Sequence, residues 1–275
     1  MSVKEFVKRA IRTLRKKEVV PISHPVAMDH LFDGKVAFIA GGTGGIGFAI
    51  AKSLIESGCS VVIGGTNEER LHARLKELNS NKAEAALFDV SACDKVDEYF
   101  RNVLSLFGKV DICVDAAGVH TENVNTWTMT PDEFERVVKI NLEGAYFLSI
   151  SAAKYMRENG IHGHILLISS TRGLEPAWSP YGISKWGVNG MVQGLAQQLA
   201  MDGITVNAIA PGSTATSLLH YQEGQSIASY ENQRGRLVMP DEVANLVKLL
   251  VSDCGNMITG EVISVGAGRG TFDIR

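Results

Sequence analysis

The stretch Ala40-Gly41-Gly42-Thr43-Gly44-Gly45-Ile46-Gly47 stands between an apolar run, Lys35 to Ala40, and an amphipathic run, Gly45 to Ser57. A strand, a tight glycine turn and a helix in that order let a backbone approach a pyrophosphate closely. The glycines admit the turn, and the first N–H groups of the helix, at the positive end of its dipole, face the anion. Gly41, Thr43, Gly44, Gly45, Ile46 and Gly47 are therefore candidate contacts to a dinucleotide. Spacing alone is weak, since the run fits G-x-G-x-x-G, G-x-x-G-x-x-G and G-x-x-x-G-x-G at once. The strand before and the helix after favour nucleotide binding over an ordinary surface turn.

Outward from that turn the chain alternates. Short β-branched or apolar runs predict strands at Lys35 to Ala40, Ser60 to Gly64, Ala85 to Asp89, Ile112 to Asp115, Gly163 to Ser169, Thr205 to Ala210 and Val262 to Val265. Helical periodicity and capping signals mark Gly45 to Ser57, Asn67 to Asn79, Cys93 to Phe107, Pro131 to Asn159, Pro180 to Met201 and Asp241 to Val251. Seven strands and six helices predict an α/β fold: a doubly wound parallel seven-stranded sheet with helices on both faces, the Rossmann arrangement. Ligands of such sheets bind beyond the carboxyl ends of the strands. The 275 residues, 45% of them hydrophobic, show no repeat and no linker, so residues 31–275 read as one domain.

A net charge of -3 argues against a nucleic-acid surface, and no apolar run is long enough to span a membrane. Cysteines 59, 93, 113 and 254 form no C-x-x-C pair. Buried free thiols in a reducing, cytoplasmic setting are the expectation, without structural zinc. His162 and His164 flank Gly163 with no Cys or carboxylate beside them, so no metal is assigned and both histidines read as solvated turn residues.

Residues 1–30 form an extension of different character. Seven basic side chains against two acidic ones fall within the first twenty positions, and Val3, Phe6, Val7, Ala10, Ile11 and Leu14 recur at helical spacing. This predicts a basic amphipathic helix that docks on the chain's own body or on a neighbouring subunit. Weak peripheral contact with an anionic membrane ranks second and organelle targeting third.

The end of the second predicted strand selects between cofactors. A carboxylate there would bind an adenosine ribose and favour NAD, but the positions hold Gly64, Gly65 and Thr66, with Asn67 following. Without a carboxylate to repel a ribose phosphate, and with donors on Thr66 and Asn67, the reading leans to NADP while leaving NAD open. No Arg at Gly44 or Thr66 supplies a charge-assisted contact.

Tyr181-Gly182-Ile183-Ser184-Lys185 puts a phenol and an ammonium one helical turn apart on one face. A phenol with a pKa of about 10 is a poor base at neutral pH, and a neighbouring cation brings it toward the working range. Such a pair is common by chance. Ser170, eleven residues upstream at a strand end, adds a hydroxyl that could hold a substrate oxygen.

With these residues the chain resembles the short-chain dehydrogenase/reductase family in its one-domain form, from about Asp33 to Gly270. The motifs run in order: the glycine turn, Asp89-Val90, D-A-A-G at 115 to 118, Asn141 in V-K-I-N-L-E-G, Ser170, Y-G-I-S-K, and P-G-S-T-A-T at 211 to 216. The resemblance implies an oxidoreductase moving a hydride between NAD(P) and a carbonyl or secondary alcohol, a small-molecule substrate. It implies Tyr181 as general acid/base, Lys185 lowering its pKa and binding the nicotinamide ribose, Ser170 orienting the substrate, and Asn141 positioning a water in a relay toward Lys185. Asp89 and Val90 would flank the adenine, and Ala116, Ala117 and Gly118 would admit the cofactor closely. Pro211, Gly212, Thr214 and Thr216 would line the nicotinamide. A homo-tetramer, or failing that a dimer, is implied by the helices around Asn141 and Lys185.

Departures from the family pattern are Ala40, Asp115-Ala116, Gly266 and a Ser-to-Tyr interval one or two residues short. Asp115 in particular would discourage extra negative charge near the adenosine, against the NADP lean. Two other classes stay open: a non-catalytic NAD(P) sensor, although Tyr and Lys are both kept, and a nucleotide-sugar epimerase or dehydratase, although few residues follow Lys185. Substrate contacts are expected from loops at His120 to Trp127, Thr171 to Ser179 and Ser213 to Val238. There Trp127, Trp178, Leu218, Leu219 and Tyr221 offer apolar walls, and Arg172, Glu175 and His220 polar handles. The third loop is a candidate lid.

Overall fold

The structure, a computed structural model, describes residues 31–269. The basic extension at 1–30, and with it the expected amphipathic helix, lies outside the described residues. Strand β1 (Val36–Ala40) leads through the glycine turn into α1 (Gly45–Glu56), followed by β2 (Ser60–Gly65), α2 (Glu68–Leu78) and β3 (Ala83–Leu87). Next come α3 (Val96–Phe107), β4 (Ile112–Asp115), α4 (Pro131–Val138), α5 (Ala145–Glu158) and β5 (His164–Ile168). The chain continues through α6 (Pro180–Leu199), β6 (Thr205–Pro211), α7 (Pro240–Leu250) and β7 (Val262–Val265). All seven strands pair in parallel, in the order β3-β2-β1-β4-β5-β6-β7.

The alternation of side chains along β1 explains the two-faced packing. Ala37 and Ile39 point into a core shared with Ile50 and Leu54 of α1 and Val243 and Val247 of α7. Phe38 and Ala40 point into the opposite core with Phe100, Val103, Leu148 and Val192. Both faces are buried, so β1 is apolar throughout rather than alternating, and each large side chain contributes about 1.5–3 kcal/mol by leaving water. The winding reverses between β1 and β4, which opens a crevice at their carboxyl ends, where Gly41 and Ala116 begin their turns.

Three local expectations are corrected. β3 runs from Ala83 to Leu87, two residues earlier than expected, because the Asp89 carboxylate accepts bonds from the Ser91 N–H at 2.9 Å and the Ser91 hydroxyl at 2.7 Å, turning the chain. The single helix expected over Pro131 to Asn159 is interrupted by a π-helical segment, Lys139–Gly144, that carries Asn141. His164 is no solvated turn residue. It is buried, its Nδ1 pairs with the Thr205 hydroxyl at 2.8 Å, and burial pushes its pKa down to about 4, so it packs as a neutral ring.

Candidate active site

At the glycine turn, backbone occupies the space a side chain would take. Gly41 has φ +72°, and a Cβ there would lie 2.6 Å from the Ala117 nitrogen. A Cβ on Gly45 would lie 2.5 Å from Thr216 Cγ2, and one on Gly47 would collide with the Gly41 carbonyl. Helices α2, α4 and α6 are capped by Asn67, Thr130 and Ser179, whereas no side chain caps α1 and no acid stands in its first turn. Its leading N–H groups are therefore left for an anion. A cleft of about 470 Å³ extends from there, lined by Gly41, Thr43 to Gly47, Thr66, Asp89, Val90 and Ala116 to Gly118. This cradle, tight at the turn and donor-rich at the helix end, fits a dinucleotide.

Asn67 is absent from the cleft lining. Its side-chain oxygen accepts the Arg70 N–H at 2.8 Å to cap α2. Arg70, which the sequence reading passed over, lines the cleft instead, one turn into the same helix. One turn further, Arg74 Nε donates to the Thr43 carbonyl at 3.3 Å, with its guanidinium 4.2 Å from the Phe48 ring centroid. Helical spacing after Asn67 was the signal for both arginines.

A second cavity, about 210 Å³, continues from the first, and Ile46, Ala116 to Gly118, Thr216 and Leu218 line both. Ser170, Tyr181, Lys185, Pro211, Gly212 and Thr214 meet in it. Ser179 caps α6, Pro180 opens it, and Tyr181 follows in the first turn, where the helix dipole favours negative charge. Ser170 ends the extended segment after β5, and its oxygen accepts the Arg172 N–H at 3.2 Å, which leaves the hydroxyl proton to donate.

Lys185 is buried beside Tyr181. Its Nζ donates to the Ile168 carbonyl at 2.8 Å and stands 5.9 Å from the Tyr181 ring centroid. Burial pushes its pKa down to about 8, opposed by the Asp115 carboxylate. Asp115 in turn is pushed up to about 6 by burial, opposed by Lys185 and by a bond from the Ala117 N–H at 3.0 Å. Asp115 thus acts on Lys185. Burial raises the Tyr181 pKa, while the Ser170 hydroxyl and the Arg172 charge draw it back.

Asn141 is almost fully buried, and its amide is committed. Nδ2 donates to the Val119 carbonyl at 2.9 Å and to Ser184 Oγ at 3.3 Å, and Oδ1 accepts the Val119 N–H at 2.8 Å. The side chain pins the loop after β4 to α6.

Around the substrate end, Leu218 and Leu219 line the cavity as expected, but Trp127 is 93% exposed, and neither it nor Trp178, Tyr221 or His220 lines it. Arg172 lines it too, together with His120, Ser213, Glu231 and Arg269. The His120 ring stacks on Tyr181, with centroids 4.1 Å apart and planes 20° apart. Glu175 stands behind, bonded to Arg172 and Arg269. Arg269 follows β7, and nothing in the sequence tied so remote a residue to this pocket.

Comparison with known proteins agrees with this geometry. The family model described as short chain dehydrogenase matches residues 35–226. A 3alpha-hydroxysteroid dehydrogenase from Mediterraneibacter gnavus is 34% identical over 248 residues, 87% of this chain and 98% of that protein. A 3-oxoacyl-(acyl-carrier-protein) reductase from Rickettsia conorii is 36% identical over 241 residues, 86% of this chain and 96% of that one. The crystal structure of a 3-ketoacyl-(acyl-carrier-protein) reductase from Brucella melitensis complexed with NADH superposes with a TM-score of 0.78 at 31% identity, covering 87% of this chain and 99% of that one. The strand order, the glycine cradle and the convergence of Ser170, Tyr181 and Lys185 thus agree with the sequence match, and the chain belongs to the short-chain dehydrogenase family of NAD(P)-dependent oxidoreductases acting on alcohol and carbonyl groups.

Proposed function

We propose that Tyr181 exchanges the proton with the reacting oxygen while Ser170 donates a hydrogen bond to the same oxygen. A bound nicotinamide supplies or takes the hydride. The observation carrying this reading is that both hydroxyls line one cavity continuous with the glycine cradle, with the Ser170 hydroxyl directed at the Tyr181 phenol. Position in the first turn of α6 and the Arg172 charge favour the phenolate. Lys185 has two ammonium donors beyond the one on Ile168 and would offer them to the nicotinamide ribose. Asn141 would hold the loop that carries Gly118 and Val119 and position a relay water toward Lys185. Tyr181→Phe tests the assignment: cofactor should bind as in wild type, and turnover should fall about 10²–10⁴-fold. Turnover equal to wild type would overturn it.

For the cofactor we favour NADP over NAD. Arg70 lines the cleft beside Thr66 and its guanidinium has no partner among the described residues, whereas Arg74 is spent on Glu77 and the Thr43 carbonyl. A charge-assisted contact is worth about 1.5–3 kcal/mol, or roughly tenfold to a hundredfold in affinity. Arg70→Ala should therefore weaken NADPH far more than NADH, and an equal effect on both would sink the preference.

The working form would be a homo-oligomer, dimer or tetramer. Val138, Leu142, Tyr146, Met191 and Leu195 line an apolar groove of about 580 Å³ between the π-helical segment, α5 and α6, and a second copy of the same face suits it. We place the protein in the cytoplasm on its four unpaired cysteines, which suit a reducing compartment. No helix among the described residues is long and apolar enough to cross a membrane.

A further inference from the structure

The cavity at Tyr181 is small. Its volume of about 210 Å³ lies below the roughly 300–1,000 Å³ of sites that enclose drug-sized ligands. Part of that space adjoins the nicotinamide-side residues Thr214 and Thr216, so what remains suits a short substrate. Apolar wall comes from Leu218 and Leu219 together with Ile46, Ile168 and Pro211, a short surface for a fatty chain or a fused-ring skeleton.

Two lining side chains keep hydrogen-bonding capacity in reserve. The His120 ring nitrogens have no partner among the described residues, while its carbonyl is fixed by Arg136 Nη2 at 2.8 Å and its neighbour Val119 is clamped by Asn141. Burial, Lys185 and Arg172 together lower its pKa, against Glu122, so it presents a neutral imidazole that can donate from one nitrogen and accept at the other. Arg172 gives Nη1 to Glu175 at 3.0 Å and is 53% exposed, so most of its fork remains available. Arg269 is different. Only 12% exposed, it is spent between Glu175, Glu231 and Ser213, and serves as frame.

We propose that the substrate is a small hydroxylated carboxylic acid of the sugar-acid type, or the oxo acid it becomes, with Arg172 taking its carboxylate and His120 a hydroxyl beside the reacting carbon. The His120 ring lies flat against the Tyr181 ring at 4.1 Å, so a group one or two carbons from the reacting centre comes within its reach. In the oxidative direction the carbinol C–H bond breaks and its electron pair leaves as hydride to NAD(P)⁺. The hydroxyl proton passes to Tyr181 as the C=O bond forms. The proposal rests on the oxidoreductase reading above and adds only the substrate class.

The test is a steady-state panel with the full-length chain and both cofactors, comparing four- to six-carbon aldonates with the matching polyols that lack the carboxylate, with 2-octanol and with a 3-hydroxybutyryl thioester. Aldonates should exceed their matched polyols at least tenfold in kcat/KM. Arg172→Gln should raise KM for aldonates at least ten times more than for polyols, with Arg172→Lys restoring part of the difference. His120→Phe, which keeps the stacked ring, should cost the hydroxylated substrates more than 2-octanol. Preference for 2-octanol or the thioester, abolished by Tyr181→Phe, would overturn the substrate class and leave the oxidoreductase reading standing. Equal loss across all substrates in Arg172→Gln would do the same. Cofactor binding with no turnover of any compound beyond Tyr181→Phe would count against the oxidoreductase reading itself.

Discussion

Asp115, at the end of β4, and Lys185, one turn beyond Tyr181 on α6, are both buried, and each holds the other's titration back from where burial alone would take it. Burial favours neutral forms, so the carboxyl rises to about 6 and the ammonium falls to about 8, and their mutual attraction limits both shifts. Lys185 is consequently the group under the site whose charge is lost just above neutral pH.

Asp115→Asn removes the charge that favours the ammonium, so the Lys185 pKa should fall below about 8. In carbonyl reduction, which needs Tyr181 protonated and Lys185 charged, the alkaline fall of kcat/KM should begin at lower pH, by roughly one unit. A profile of cofactor consumption from pH 6 to 10 measures this. An unchanged alkaline limb would show that Asp115 does not govern Lys185.

Gly41→Ala forces a side chain onto a φ of +72° and to within 2.6 Å of the Ala117 nitrogen. Strain of about 1–3 kcal/mol should lower the melting temperature. Because the same displacement opens the cradle, NADPH affinity should drop more than tenfold in a fluorescence titration. Wild-type affinity in this variant would argue against the turn as the phosphate site.

Asn141→Ala strips the Val119 N–H and carbonyl of their partners. Leaving such groups unpaired costs about 1–3 kcal/mol each, so the denaturant midpoint should fall by an amount equivalent to about 2 kcal/mol or more, with the slope unchanged. If Asn141 instead served only a proton relay, stability would be unaffected and only turnover would suffer.

Leu195→Arg places a charge in the apolar groove between α6 and the π-helical segment. Sedimentation should show wild type as a dimer or tetramer and the variant as a smaller species. A monomeric wild type, or a variant that assembles normally, would remove that face as the subunit contact.

Ser170, Tyr181 and Lys185 were legible because each depends on local spacing: a strand end, and one turn of a capped helix. Asn141 was legible as a position but not as a contact, since its partners Val119 and Ser184 lie 22 and 43 residues away. Asn67 is a different case. Its amide was read as a donor toward a ribose phosphate, but its oxygen caps α2 and Arg70 takes the lining position.

By itself, then, the sequence determined the alternation of strands and helices, the glycine turn and the Tyr–Lys pair, because period, capping and steric freedom are properties of neighbouring residues. Tertiary structure alone decided that Asp115 faces Lys185, that His120 stacks on Tyr181, and that Arg269 closes the substrate pocket with Glu175 and Glu231. The physical reason is the winding of the sheet. Reversal between β1 and β4 gathers the ends of β4, β5, β6 and β7 at one edge, and side chains from remote parts of the chain acquire one another's charge and hydrogen bonds only there.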